Sequence, residues 1–359
     1  MKIALLGDIA LYGKFSTNNK EIFNYLSSVK EILSECDYVV GNLETPFAEI
    51  GAKHYGYKSA YIKAYPENIK ILKYLGVNAV CLANNHTFDY GKISFELTKK
   101  ILKDNNIEYF GIAEKKDVIK QVGNSKIVLC GFCCYSTNPQ GCGNNGINEY
   151  DYTTVVNDLK EKNDNGYNVI MSVHAGQEHV NYPNPDHIKI ARSLARESSF
   201  VYYGHHPHVL QGFEEYNNSL LYYSLGNFCF DDVYTNKSKE PLIKMSDNNK
   251  SSMIVILEYN DNKLISHKEI PIYDAQLIEE KCIVISKQIS LYCDKLSKID
   301  EEYQIMRNTI LNEYISSRKS MRDMQWYLKR INYSSIRQII NAKANYKLYS
   351  KCIKKYCNE

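Results

Sequence analysis

Six apolar runs of this chain stop abruptly on a residue that can bind a metal ion or move a proton. They close on Asp8, Glu44, Asn85-His86, His174, His205-His206-Pro207-His208 and Asn227. Five of the nine histidines, His86, His174, His205, His206 and His208, therefore stand at such ends, beside two carboxylates. Imidazole, carboxylate and amide oxygen together make the mixed ligand set that suits Zn, Mn or Fe. A carboxylate shared by two such ions about 3.5 to 4 Å apart belongs to sites that activate water for attack on an ester. His206 and His208 are separated by one residue, so in an extended segment they point the same way and can address neighbouring ions. Alone, a His-x-His is a weak signal, because a histidine after a strand commonly just completes a hydrogen bond. The other run ends give it weight.

The elements that must position these groups are strands over residues 2–8, 38–44, 79–86, 169–174, 200–208 and 220–227. Each carries consecutive apolar residues rich in Val, Ile and Tyr, as strands covered on both faces do. Amphipathic stretches over 19–34, 66–75, 91–104 and 186–198 alternate with them, which is the βαβ grammar of an α/β fold. Parallel strands share one carboxyl edge, so the run ends are expected to converge across 200 residues of chain. Pro66 reads as a first-turn proline and Asp186 as a helix cap. The polar loops 139–146 and 234–249 read as lids or substrate loops.

After about residue 274 the pattern becomes helical. Leu277, Ile278, Ile283, Ile285, Ile289, Tyr292 and Leu296 predict one long helix over 275–317. A second helical segment over 321–357 carries Trp326, Tyr327, Leu328, Ile331, Ile336, Ile339 and Ile340 among basic residues. We therefore divide the chain into a body, 1–274, and a helical, basic C-terminal region, 275–359. Residues 318–359 hold 11 Lys or Arg against 2 acidic residues, leaving 33 against 39 upstream, so the body is −6 and the tail +9. Such a tail can meet anionic lipid, nucleic acid or an anionic polymer, or simply be a solvated helix face. Nucleic acid is the least expected of these, since the body is acidic and only tyrosines interleaved in the tail speak for it.

At 359 residues and 44% apolar content the chain can bury one large core plus an appendage. No apolar stretch nears the roughly 18 residues that cross a bilayer, and the chain opens on a core strand, so the expected location is cytoplasmic. Of the 11 cysteines, Cys81, Cys130 and Cys229 lie inside apolar runs and read as buried thiols. Cys133-Cys134 and Cys142 are the candidates for ligand or redox roles, and ordinary burial is the favoured reading for them too.

The motifs Gly7-Asp8, Gly41-Asn-Leu-Glu44, Leu82-Ala-Asn-Asn-His-Thr-Phe-Asp-Tyr-Gly91, His174-Ala-Gly176, Gly204-His-His-Pro-His-Val-Leu-Gln211 and Tyr223-Ser-Leu-Gly-Asn-Phe228 resemble, in order, those of the CapA family. That family is associated with capsule and poly-γ-glutamate synthesis, and its fold is related to the calcineurin-like metallophosphoesterases. The resemblance covers roughly residues 1–258. It implies a four-layer αββα sandwich with a metal site at the sheet edge.

Carried over residue by residue, the resemblance implies Asp8 and His208 on one divalent ion, Asn85, His174 and His206 on another, and Glu44 between them. His86 is left for proton transfer, with Asp89 to orient it, although Asp89 reads equally well as a loop tie. Asn42, Glu178, His179, His205 and Asn227 are expected to contact substrate or support the ligands. Three departures stand out. Ala10 occupies a position where the wider phosphoesterase pattern has histidine, Glu44 is longer than the aspartate of that pattern, and Ala175 and His179 replace the more usual tryptophan and tyrosine. One site is therefore expected to be weaker, with one or two ions of Mn, Zn or Fe in all.

The expected activity is hydrolysis of a phosphoester, less so of an amide or ester, on an anionic polymer, a glycan or its lipid-linked precursor. The rival expectation is a non-catalytic accessory protein that binds the polymer or holds a capsule synthase at the inner face of the membrane through 318–359.

Overall fold

The computed structural model describes residues 1–54, 60–134, 146–234, 240–320 and six single helical positions between 324 and 347. Its strands follow in chain order as β1 (Lys2–Ile9), β2 (Tyr38–Leu43), β3 (Ala79–Cys81), β4 (Glu108–Phe110), β5 (Asp117–Val122), β6 (Ser125–Cys133), β7 (Asn168–His174), β8 (Val201–His205), β9 (Phe213–Tyr216), β10 (Ser219–Tyr222), β11 (Asn227–Cys229), β12 (Ser251–Asn260) and β13 (Lys263–Tyr273). They form two sheets, ordered β13-β12-β1-β2-β3-β4, with β11 paired to β1, and β5-β6-β7-β8-β10-β9. β1 to β4 are mutually parallel, as are β6, β7, β8 and β10. β1, β2, β7 and β8 are buried almost end to end, because each is covered on both faces.

The helices are α1 (Ile22–Tyr25), α2 (Ser27–Ser34), α3 (Ile69–Leu75), α4 (Gly91–Asp104), α5 (Tyr152–Asp164), α6 (Pro185–Glu197), α7 (Asp247–Lys250), α8 (Glu279–Leu296) and α9 (Glu301–Ser320). Strands β1 to β4 are laid down side by side, so right-handed crossovers put α2, α3 and α4 on one face of the first sheet. The same rule puts α5 and α6 on one face of the second. The remaining faces pack together, and the Tyr203 hydroxyl on β8 donates to the Leu6 carbonyl on β1 across that interface. The result is the αββα sandwich.

Several expectations are corrected in detail. The run 220–227 is two strands: the chain leaves the second sheet after β10 and enters the first as β11, turning through Gly226 at φ 74°. The cap of α6 is Asn184, whose side chain accepts from the Asp186 backbone N–H, and Asp186 is instead in the first turn after Pro185. The helix expected over 275–317 is broken into α8 and α9, and Asp300 Oδ1 accepts from the Tyr303 N–H at the new start. α8 buries Ile285, Ile289, Tyr292 and Leu296 against β13 and β9, the edge strands of the two sheets. Cys133 and Cys134 are buried thiols, while Cys142 and most of 321–357 lie outside the described residues, as does the greater part of the loop 139–146. Among the described residues no helix is long and apolar enough to cross a membrane.

Candidate metal centre

The carboxyl ends of the parallel strands in both sheets deliver the polar residues to one rim. β1 carries Asp8, β2 is followed by Glu44, β3 by Asn84, Asn85 and His86, β7 ends on His174 and β8 on His205. All of these side chains are buried. Two glycines make the approach possible: a Cβ on Gly7 would stand 2.1 Å from the Gly226 carbonyl oxygen, and one on Gly204 would stand 2.0 Å from that of Tyr223. The backbones pack too closely there for any side chain.

Two ligand clusters result, Asp8 with Glu44 and His208, and Glu44 with His174 and His206, each with ligand atoms mutually within 4.8 Å. Glu44 Oε1 lies 3.5 Å from His208 Nε2 and 3.8 Å from His174 Nε2. Asn85 Oδ1 is 3.0 Å from His174 Nε2, which puts the amide oxygen beside the second cluster. The Asp8 carboxylate is held by Asn42 Nδ2 at 2.8 Å and lies 2.9 Å from His205 Nδ1, so Asn42 and His205 support it. His208 Nδ1 is 2.9 Å from Asn227 Oδ1.

His206 and His208 are not in an extended segment. β8 ends at His205, and the two residues take φ of 94° and 56°, in the left-handed region that costs a non-glycine residue about 1–3 kcal/mol. The kinked backbone separates their rings by 6.0 Å and sends one to each cluster. His86 Nδ1 is 2.6 Å from Asp89 Oδ2, and that same oxygen accepts from the Ile62 N–H at 3.0 Å. His86 Nε2 is 3.8 Å from Glu44 Oε1.

The electrostatics sort the histidines. Burial, reinforced by the neighbouring imidazoles His206 and His205, pushes His174 well below the ordinary value. Burial likewise takes His206 down to about 4, although Glu178 opposes it. Both are neutral at physiological pH, the form in which imidazole binds a metal. His208 goes the other way: burial opposes protonation, but Glu44, Asp8 and Glu178 outweigh it and raise it to about 8. Burial would also raise Asp8, yet the His205 hydrogen bond and the charges of His205 and His208 hold it below the usual carboxylate value.

Beside the clusters a cleft of about 570 Å³, open solvent included, is lined by Asn85, His86, His208, Glu178 and His179, with Phe230 and Met245 on its apolar side. Ala10 stands under that side in a small cluster with Ile62, Phe230, Val233 and Met245, so apolar packing fills the place where the wider pattern has a histidine. Glu178 accepts the Tyr314 hydroxyl at 3.0 Å; burial resists its ionisation, but His206, His179, His208 and Tyr314 bring it down to about 2.

The site also contains residues outside the expected set. Asn84 ties the loop after β3 to the end of β2 by donating to the Leu43 carbonyl at 2.9 Å and accepting from the His86 N–H at 3.1 Å. Asn249 donates to His179 Nδ1 at 2.8 Å and to the His208 carbonyl at 3.0 Å. Its place beside the candidate ligand Asn85 in the sequence is a findable clue for the first. Asn249, Tyr314 and Arg318 lie far along the chain with no local pattern to mark them.

Two packed sheets flanked by helices, with carboxylates and imidazoles gathered at the carboxyl ends of parallel strands, define a metallophosphatase-like sandwich. The chain belongs to the family described as "Bacterial capsule synthesis protein PGA_cap", whose family model matches residues 2–232. It is 29% identical over 278 residues to the capsule biosynthesis protein CapA of Bacillus anthracis, a match covering 71% of this chain and 66% of that one. It is 28% identical over 254 residues to the PGA biosynthesis protein CapA of Bacillus subtilis (strain 168), covering 68% and 67%. The chain thus spans about two thirds of the length of these relatives. Among solved structures it is similar to a phosphatase from Mycoplasma pneumoniae, with a TM-score of 0.46 and 16% identity over 77% of this chain and 95% of that one.

Proposed function

We propose that this chain is a metal-dependent hydrolase acting in capsule, poly-γ-glutamate or polysaccharide biosynthesis, with a phosphoester as the first candidate bond. The observation that carries it is the sharing of Glu44 between two buried clusters of three ligands. The residues fit divalent ions: the donor set is carboxylate, imidazole and amide oxygen, and the buried His206 Nδ1 has no hydrogen-bond partner among the described residues. Asp8, Glu44 and His208 would hold one ion, and Glu44, Asn85, His174 and His206 the other, of Mn, Zn or Fe. When bound, the ions would supply an acidified water and stabilise the anionic transition state.

In this reading the chain's own groups do the rest. Asp89, anchored by the Ile62 N–H, fixes the His86 ring through Nδ1 and leaves Nε2 turned toward the clusters, where it can protonate a leaving oxygen. Asn42, His205 and Asn227 hold Asp8 and His208 in place. Glu178 and His179 border the cleft and contact substrate. The substrate class is an anionic polymer, a glycan or a lipid-linked precursor. The division of the chain near residue 274 belongs to the same reading, with the basic region 318–359 supplying contact to a capsule synthase or to the inner face of the membrane.

The apolar packing around Ala10 favours a second reading, a polymer-binding or synthase-holding protein without turnover. Turnover of bis-p-nitrophenyl phosphate by metal-loaded protein separates the two. Hydrolysis lost in His86→Ala with metal retained supports the first; metal-loaded protein inert toward every ester but bound to capsule polymer supports the second.

A further inference from the structure

The family match ends at residue 232, but the wall of the cleft includes a residue from the far end of the described chain. α9 docks on the body through one stripe spaced by helical turns: Tyr303 and Arg307 are buried, and Tyr314 and Arg318 follow on the same face. The Tyr303 hydroxyl donates to the Pro183 carbonyl at 2.8 Å. The Tyr314 hydroxyl donates to Glu178 Oε2 at 3.0 Å, and its ring lies 4.7 Å from that of His179. These contacts bring Arg318, one turn on, to the cleft it shares with Asn85, His86 and His208.

Arg318 is the one permanent cation among the described residues that line this cleft. Its Nη1 donates to the Leu242 carbonyl at 3.3 Å, which fixes the side chain without neutralising it. The nearby Glu178 carboxylate takes the Tyr314 hydroxyl, and among the described residues no salt bridge claims the guanidinium. A guanidinium carries five donors in a planar fork, so one bond to a carbonyl leaves the rest able to grip a carboxylate or phosphate with two prongs.

We infer that Arg318 is a substrate-binding residue that takes an oxyanion, phosphate or carboxylate, of the molecule bound in the cleft, and that Tyr314 is the positioning residue that sets α9 for it. The inference rests on the proposed reading that substrate occupies this cleft. It makes a helix beyond the matched span part of the specificity wall. An amphipathic docking of α9 for stability alone would need the buried Tyr303 and Arg307 but not a cation facing the cleft.

The test measures binding of two probes, inorganic phosphate and a γ-linked glutamate oligomer, to full-length metal-loaded protein by calorimetry. Arg318→Gln should weaken at least one probe by about 10-fold or more, the scale of a lost two-pronged charged contact. Arg318→Lys should recover part of that loss. Metal content and melting temperature should match wild type in both variants, and Tyr314→Phe should weaken the same probe to a smaller extent. The probe that responds tells phosphate from carboxylate. Equal affinities for wild type and Arg318→Gln overturn the inference, as does a wild-type protein that binds neither probe. Turnover of bis-p-nitrophenyl phosphate by wild type and Arg318→Gln alike, with the affinity for both probes unchanged, overturns it while leaving the hydrolase reading intact. Arg318-dependent probe binding without turnover of any ester supports it and removes the hydrolase reading.

Discussion

Replacing Glu44 by glutamine should loosen both ions together, because Glu44 is common to both ligand clusters. Its Oε1 stands 3.5 Å from His208 Nε2 on one side and 3.8 Å from His174 Nε2 on the other. Even outer groups that merely support a ligand cost about 10–100-fold in metal affinity when removed. Loss of a shared carboxylate should cost each ion at least the upper figure, about 2.8 kcal/mol at 1.4 kcal/mol per decade. Asp8→Asn touches only the cluster with Glu44 and His208, so it should weaken one ion and spare the other. The fold should survive both changes. In metal-free protein the buried Glu44 charge is costly and is offset by His208, which it helps raise to about 8, so a neutral amide removes cost and compensation at once. The assay is calorimetric titration with Mn and Zn after chelator treatment, alongside melting curves in chelator. Glu44→Gln that keeps wild-type affinity at both sites, or weakens one alone, refutes the shared-ligand argument.

His86→Ala should lower kcat on a generic phosphodiester by about 10²–10⁴-fold, the usual worth of a positioned proton donor, while metal content stays at the wild-type level. Elemental analysis beside the kinetics checks it, and a fall in both together would make His86 a ligand instead. Gly204→Ala should destabilise the fold by about 1–3 kcal/mol or more, since its Cβ would lie 2.0 Å from the Tyr223 carbonyl oxygen, a backbone atom that cannot rotate away. Chemical denaturation reads that directly, and a neutral effect would mean β8 and β10 pack less tightly than described.

The parts of the fold that were legible in advance are those where local pattern and tertiary role coincide. The apolar runs behind Asp8, Glu44 and His174 are continuous because both faces of β1, β2 and β7 are covered, and their ends are polar because the rim is. α4 spans Gly91–Asp104, the range its amphipathic pattern predicts. What escaped depends on contacts distant in sequence. The run 220–227 is interrupted only by Ser224 and Gly226 before it ends on Asn227, too little to mark the crossing between sheets, which a positive φ at Gly226 permits. The left-handed backbone of His206 and His208 is likewise invisible in composition, yet it decides which cluster each ring enters. Tyr314 and Arg318 share a helical face with Tyr303, but only the docking of α9 shows that this face ends at the cleft.

The central claim is that this rim holds divalent metal, and the most direct measurement is the metal content of full-length protein purified without chelators. The account predicts one or two divalent ions per chain, of Mn, Zn or Fe, lost together in Glu44→Gln. No bound metal, with none taken up on titration, would contradict it.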